Sequence, residues 1–335
     1  MRILLVKTSS MGDIVHALPV LEDIIQHYPL AHIDWLVEKS FSPLLHSHKH
    51  LNNIISIELR RWRKDLFSIK TLKEIKDFYK KLKSTHYDYI IDMQGLIKSA
   101  VPSYLAKSHG SRVYGYANKS KQAGYEPLAK FAYTKTINIP YACHTVTRNR
   151  LLCAGALGYA IDEKDVRFNF KNNPEHIHQE HNSNPYIIFA HGTSRQDKEW
   201  CLHNWIELGC KIVEKKPHMT ILLPWGSDYE KHNANLIMAG ILQHHPDANV
   251  RILIKLSLDK LMNIIKGATA FIGADTGLSH ISSALNIPSV ILYNFDTIWR
   301  TNAFWTHNNT QNLYQKQSGV SVESVYDNLC RLMVF

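Results

Sequence analysis

Met1-Arg-Ile-Leu-Leu-Val-Lys-Thr-Ser-Ser-Met-Gly-Asp-Ile-Val-His-Ala-Leu-Pro19 is the stretch on which the reading of this chain turns. Ile3 to Val6 is a continuous apolar run, the pattern of a strand buried on both faces, and Thr8-Ser-Ser-Met-Gly12 is a turn of small residues. Ile14, Ala17, Leu18 and Leu21 then repeat at helical spacing. Pro19 lies inside that pattern, where it either kinks the helix or moves its start. A buried strand, a small-residue turn and a helix open a parallel α/β sheet, and they set Asp13 at the C-terminal edge of the strand, where such sheets receive ligands. Asp is also a favoured helix cap, so the local pattern leaves two readings of Asp13 open: a cap, or a carboxylate placed for chemistry.

Outward from this unit, short apolar runs at 2–7, 32–37, 53–58, 88–92 and 111–115 alternate with helical patterns near 13–27, 70–84, 96–108 and 144–157. Residues 171–185 are polar, contain two prolines and have no apolar period, which marks a linker. The rhythm restarts with strands at 186–190, 219–223, 250–254, 269–273 and 289–293 and helices near 203–215, 228–242, 258–266 and 277–285. The expected architecture is therefore α/β: two Rossmann-like domains facing a central cleft, one over 1–172 and one over 184–318, with a helix in 319–335 crossing back to pack on the first. Neither half has GxGxxG after its first strand, and GxxxxGK[ST] is absent throughout, so dinucleotide oxidoreductases and P-loop NTPases lose support.

A chain of 335 residues is long enough for two such cores, and its apolar runs are strand-sized, well short of the roughly 20 residues that a bilayer span needs. With no secretory leader in the pattern, a cytoplasmic protein is expected. The five cysteines show no CxxC pair or regular spacing, which suits reduced thiols better than a disulfide framework or a zinc site. A net charge of +10 implies an anionic partner. Ten basic residues against three acids fall between Arg60 and Lys83, where Leu72, Ile75, Tyr79 and Leu82 outline an amphipathic helix with a cationic outer face. Arg60-Arg-Trp-Arg-Lys64 precedes that helix and packs four cations around an indole. Aromatics do not interleave with the basic run as single-strand nucleic-acid binding requires, so nucleic acid is not expected as the partner.

Three stretches of the second half carry chemistry. His191-Gly-Thr-Ser-Arg-Gln-Asp-Lys-Glu-Trp200 follows a strand and groups Thr193, Ser194 and Lys198, donors suited to a phosphate or to a plain polar helix-capping loop. Gly273-Ala-Asp-Thr-Gly-Leu-Ser-His280 opens a helix whose first amides make an anion site. There Asp275 can accept from sugar hydroxyls, while His280 reads as a packed donor or a functional group. Leu223-Pro-Trp-Gly-Ser-Asp-Tyr-Glu230 ends another strand, and its glutamate is either a ribose ligand or a solvated acid. His46-Ser-His-Lys-His50 and His176, His178 and His181 lie in expected loop or linker with no accompanying cysteine or carboxylate cluster, so no metal site is assigned.

Taken together and in order, Thr8 to Pro19, Arg60 to Lys64, Asp92-Met-Gln-Gly-Leu-Ile-Lys-Ser-Ala100, His191 to Trp200, Leu223 to Gly226 and Asp275 to His280 resemble the lipopolysaccharide heptosyltransferase I family, within glycosyltransferase family 9. The resemblance spans nearly the whole chain. It implies a GT-B fold and an inverting, metal-independent enzyme with no cofactor. Such an enzyme moves L-glycero-D-manno-heptose from ADP-L-glycero-β-D-manno-heptose to the first Kdo of Kdo2-lipid A, peripherally at the cytoplasmic face of the inner membrane. By the same resemblance Asp13 is the general base, Thr193, Ser194, Lys198, Thr276 and Gly277 bind the donor diphosphate, and Leu278 is among the residues that bind the donor. Glu230 then matches a ribose-binding glutamate, and Leu256 a position near adenine. Asp275 and His280 match heptose or phosphate contacts, and Arg60, Arg61, Arg63, Lys64, Gln94 and Lys98 match the acceptor side. Tyr125 departs from the pattern, standing where the family tends to have arginine. Heptosyltransferase II or another ADP-sugar transferase, an NDP-sugar epimerase of the same shape and a nucleotide-sugar binding protein are the competing readings.

Overall fold

The computed structural model describes residues 1–46, 48–119, 125–170, 184–193, 195–306, 308–315 and 319–333. Ser194, His176, His178, His181 and almost all of the expected linker lie outside the described residues. The chain divides into two units, Met1–Lys171 and Asn172–Phe335.

The first unit runs β1 (Arg2–Val6), α1 (Met11–Val15), α2 (Pro19–His27), β2 (His32–Glu38), α3 (Pro43–His46), β3 (Asn53–Ile57), α4 (Leu59–Trp62), α5 (Ile69–Lys83), β4 (Tyr89–Asp92), α6 (Ile97–Ala106), β5 (Arg112–Tyr116), β6 (Lys135–Ile137) and α7 (Thr145–Leu157). Its strands are parallel, in the order β3-β2-β1-β4-β5-β6. Side chains alternate across a strand, so Leu4 and Val6 join Leu36, Ile55, Ile90 and Val113 on one face, covered by Trp62, Leu82 and Ala106 from α4, α5 and α6. On α2 and α7 a buried bidentate pair, Arg150 to Asp23 at 2.7 and 2.9 Å, ties the two helices together. The strand order reverses between β1 and β4, and their register pairs Val6 with Asp92. The loops leaving these two strands therefore start side by side at the switch point, where open α/β sheets bind ligands.

Two expectations about this unit change. The single helix expected at 13–27 is two, because Pro19 has no N–H to donate back into a helix; it sits at the first position of α2, where none is needed. On α5 the inward face is Ile75, Phe78 and Leu82, so Leu72 and Tyr79 of the expected apolar stripe are exposed.

The second unit repeats the plan: β7 (Tyr186–Ala190), α8 (Leu202–Lys215), β8 (Thr220–Leu223), α9 (Asp228–His244), β9 (Val250–Ile252), α10 (Leu258–Lys266), β10 (Ala270–Ala274), α11 (Gly277–Ala284), β11 (Ser289–Tyr293), α12 (Ile298–Thr301), β12 (Thr310–Tyr314) and α13 (Val322–Met333). Its strands are again parallel, ordered β12-β11-β10-β7-β8-β9, with the switch between β7 and β10 and Ala190 paired to Gly273. Strands β6 and β12 go beyond the sequence reading, since both are edge strands with polar residues and neither is an apolar run. The C-terminal helix differs from expectation as well. Val322, Val325 and Leu329 of α13 are buried in this unit's core with Trp205, Leu208 and Ile212 of α8, so the packing assigned to the first domain is found in the second. Trp200 donates its indole N–H to the Val320 carbonyl at 2.7 Å, and Lys211 pairs with Glu323 at 2.7 Å. Among the described residues no helix is long and apolar enough to cross a membrane.

Candidate functional site

In the first unit the switch point gathers Asp13, Gln94 and Lys98 around one loop. Ser10 caps α1, and Asp13 reaches back from the third helical position, its Oδ2 accepting from the Ser10 N–H at 3.0 Å and the Ser10 hydroxyl at 2.8 Å. Gln94 Oε1 accepts from the amides of Thr8 and Ser9 at 3.1 and 3.2 Å, and Lys98 donates to the Ser9 hydroxyl at 2.7 Å. Thus Gln94 of the β4–α6 turn and Lys98 of the first turn of α6 hold the turn that leads to Asp13. The β4–α6 turn is built in its own way: Asp92 is fully buried, and its Oδ1 accepts from the amides of Gln94 and Gly95. Its Oδ2 takes the hydroxyls of Ser99 and Tyr133 at 2.9 and 2.8 Å. Gly95 is at φ +73°, a left-handed conformation that glycine adopts without strain.

Charges around Lys98 show what else faces this edge. Burial and then the Arg60 charge press its ammonium below the usual lysine range, while Asp13, Glu38 and Glu126 act in the opposite direction. Glu38 accepts from the Arg60 N–H at 3.3 Å, and burial raises its carboxyl despite Arg60 and Lys98. Glu126 accepts the first amide of α6, that of Ile97, at 2.6 Å; the half-buried Tyr125 precedes it. Neither acid stood out in the sequence, because nothing local distinguishes a carboxylate that folding brings to a distant lysine. Arg148 was equally hidden: it is buried, with its guanidinium 3.9 Å from the Tyr116 ring centroid and no hydrogen-bond partner at Nε or Nη2.

The Arg60–Lys64 cations separate. Arg60 lies over the Phe41 ring and near Lys98, whereas Arg61 is held by Glu58 at 2.6 Å and by Glu74, which also takes the indole N–H of Trp62. Arg63 and Lys64 are exposed. Arg61 is in this structure a strut of the α4–α5 junction rather than a member of the edge cluster.

In the second unit the predicted residues converge from three loops. Lys198 donates to Asp275 Oδ2 at 2.8 Å, His280 Nε2 lies 3.2 Å from Oδ1, and the Thr301 hydroxyl is 3.5 Å from Oδ1. Burial opposes a charge on Asp275, but His280 and Lys198 outweigh it and hold the carboxyl well below the usual carboxylate range. Thr276 is the N-cap of α11, yet its hydroxyl caps nothing: it is buried and has no hydrogen-bond partner. Gly277 and Leu278 follow in the first turn, whose amides have no partner within the helix. After the neighbouring strand β8, Glu230 closes a capping box in the first turn of α9, its Oε2 accepting from the amides of Gly226 and Ser227 at 2.6 and 3.1 Å. Gly192 leaves room for this side chain, since a Cβ at that position would lie 2.6 Å from Glu230 Cδ and push it aside. Thr193 instead turns onto its own loop, where it accepts from the Arg195 amide at 3.2 Å. Leu256 is half-buried on the β9–α10 loop.

A model of glycosyltransferase family 9 (heptosyltransferase) matches residues 75–329. The chain is 34% identical over 294 residues to lipopolysaccharide heptosyltransferase 1 of Pseudomonas aeruginosa, a match covering 88% of this chain and 78% of that one. It is 35% identical over 297 residues to lipopolysaccharide heptosyltransferase 1 of Escherichia coli K12, covering 88% of each. The structure of E. coli heptosyltransferase WaaC with ADP superposes with a TM-score of 0.85 at 31% identity, covering 99% of this chain and 100% of that one. The same enzyme with ADP-2-deoxy-2-fluoro heptose gives 0.79 at 31% identity and 98% of each.

The chain belongs to glycosyltransferase family 9, and its two Rossmann-like units are those of the GT-B type. It is a heptosyltransferase of lipopolysaccharide core biosynthesis, with heptosyltransferase I function.

Proposed function

We propose that the enzyme transfers L-glycero-D-manno-heptose, with inversion, from ADP-L-glycero-β-D-manno-heptose to the first Kdo of Kdo2-lipid A at the cytoplasmic face of the inner membrane. The observation that carries the donor half is the buried, unpartnered Thr276 hydroxyl at the start of α11, next in the chain to an Asp275 tied to Lys198. A helix start, an orphan hydroxyl and a cation are the groups a diphosphate needs. The related E. coli enzyme has been seen with ADP and with a fluorinated ADP-heptose, which supports the same donor here. Thr193, Ser194 and Lys198 serve the diphosphate with Thr276, Gly277 and Leu278, while Glu230 and Leu256 serve the nucleoside and Asp275 and His280 the sugar side. Arg60, Arg63, Lys64, Gln94 and Lys98 form the acceptor side.

In the reaction the Kdo hydroxyl oxygen forms a bond to the heptose anomeric carbon as the bond from that carbon to the diphosphate oxygen breaks. The hydroxyl proton passes to Asp13, and ADP leaves with the bonding pair. A sugar hydroxyl is too weak an acid to ionise beforehand, so the base acts in the transition state, an effect of about 10²–10⁴-fold. The Ser10 N–H and hydroxyl hold the Asp13 carboxylate in place at the start of α1. Lys198 and the α11 amides stabilise the charge that grows on the leaving diphosphate. Incubation with ADP-heptose and Kdo2-lipid A, followed by mass spectrometry of the lipid, tests the proposal. A product heavier by one heptose is expected, and unchanged lipid with consumed or intact donor refutes it.

A further inference from the structure

Helices α5 and α6 and the Pro127–Ala132 turn lie side by side, with α6 packed against both neighbours. Their inward residues fill the sheet face, yet their outward faces are also apolar. Phe67, just before α5, is 97% exposed and Ile69 is 87% exposed. Val101 and Tyr104 of α6 are half exposed or more, and Leu128 and Phe131 on the turn are 64% and 74% exposed. Single exposed apolar residues are ordinary, but six on or beside three neighbouring elements leave much apolar area facing water.

The same surface is cationic. Lys73, Lys76 and Lys80 project from the outward side of α5 beside Ile69, and Arg63, Lys64 and Lys70 stand exposed around Phe67. Of the three acids in this stretch, Glu74 is taken up by Arg61 and Trp62, and the exposed Asp65 and Asp77 are outnumbered by six exposed cations. Apolar side chains rising among lysines match a bilayer interface, where the rings enter the acyl boundary and the ammonium groups meet anionic headgroups. A second copy of this chain fits poorly, because it would bring one row of lysines against another in a protein of net charge +10.

We propose that the α5, α6 and 127–132 surface docks the enzyme on an anionic lipid bilayer, with Phe67, Ile69 and Phe131 inserted and the α5 lysines on the headgroups. This deepens the membrane-face reading of the proposed function by naming the surface, and it divides the basic segment into two parts. Arg60 serves the switch-point cluster, and the outward lysines serve the bilayer.

The test is co-sedimentation of the full-length protein with vesicles of phosphatidylethanolamine and phosphatidylglycerol, and with vesicles of phosphatidylcholine alone. No sugar substrate is present, so failure here is distinct from failure of the transfer reaction. The wild type is expected to bind the anionic vesicles in a salt-sensitive manner and the neutral ones weakly. The double variant Phe67→Ser, Phe131→Ser should lower partitioning by about tenfold or more, the loss expected for withdrawing buried aromatic rings. Lys73→Glu with Lys76→Glu should abolish the preference for anionic vesicles. Because these side chains are exposed, all variants should keep the wild-type melting temperature and the wild-type turnover on detergent-dispersed acceptor. Wild-type protein that stays in the supernatant with anionic vesicles, or a serine variant that binds as well as wild type, overturns the proposal. So does a wild-type dimer that the serine variant converts to monomer without any vesicle binding, which would assign the surface to a second copy.

Discussion

Replacing Asp13 with Asn separates the two roles that its position allows. The amide keeps an oxygen that can accept from the Ser10 N–H and hydroxyl, now at 3.0 and 2.8 Å, so the start of α1 keeps its shape. What the amide lacks is basicity. As part of the cap, the side chain accepts hydrogen bonds that survive in Asp13→Asn, and the substitution loses only the charge at the helix N-terminus, about 0.3–1 kcal/mol. As a general base it contributes about 10²–10⁴-fold, or roughly 3–5 kcal/mol of barrier. The two magnitudes are far enough apart to decide. The assay is ADP release with saturating donor and acceptor, alongside calorimetric ADP titration and a thermal melt. Turnover should fall by about 10²-fold or more, with ADP affinity unchanged because the residues proposed to bind the diphosphate belong to the second unit, and with the melt little moved. A variant that turns over within about threefold of wild type would refute the base assignment, since that loss is no larger than a cap can explain.

Other expectations follow from the same geometry. Asp275→Asn leaves Lys198 and His280 without their shared carboxylate; since Lys198 keeps a side-chain exposure of 24% and can turn to water, the cost at neutral pH is about 2–3 kcal/mol, read from urea unfolding. The folded carboxyl sits below its unfolded value near 3.9, so the wild-type advantage is complete above about pH 5 and shrinks as pH falls through the folded value. An advantage that grows on acidification would reverse that sign. Gly192→Ala forces the Glu230 side chain away, which should weaken ADP binding by about tenfold while leaving the fold intact, measured by calorimetry. Arg60→Ala should raise acceptor KM with donor KM unchanged, whereas Arg61→Ala, which frees Glu58 and Glu74, should lower the melting temperature and spare acceptor KM.

Much of the architecture was legible because buried parallel strands are written as short apolar runs, and ten such runs marked ten of the twelve strands among the described residues. The two edge strands were not, since β6 and β12 bury only part of their surface and need no apolar run. Pro19 was visible as a conflict within a helical pattern, but its resolution into α1 and α2 depended on which backbone N–H groups the fold left without acceptors. On α5 the apolar period admitted more than one inward face, and packing under β4 selected Ile75, Phe78 and Leu82. Leu72 was thereby left on the outside, next to the surface inferred to meet lipid.

By itself, the sequence determined two Rossmann-like halves, the loops at their strand ends, and the residues whose chemistry suits a nucleotide sugar and an anionic acceptor. These are local properties: period, turn composition and residue type over a few positions. Only the tertiary structure decided the partners across distance. Gln94 and Lys98 brace the Asp13 turn from more than eighty positions away, Lys198 finds Asp275 across a comparable span, and Arg61 joins Glu74 to its near neighbour Glu58. It also seated α13 on the second sheet, where Trp205, Leu208 and Ile212 complement its apolar face. Parallel strand order brings distant loops together at one sheet edge, and a linear pattern carries no record of which loops those are until the strands have paired.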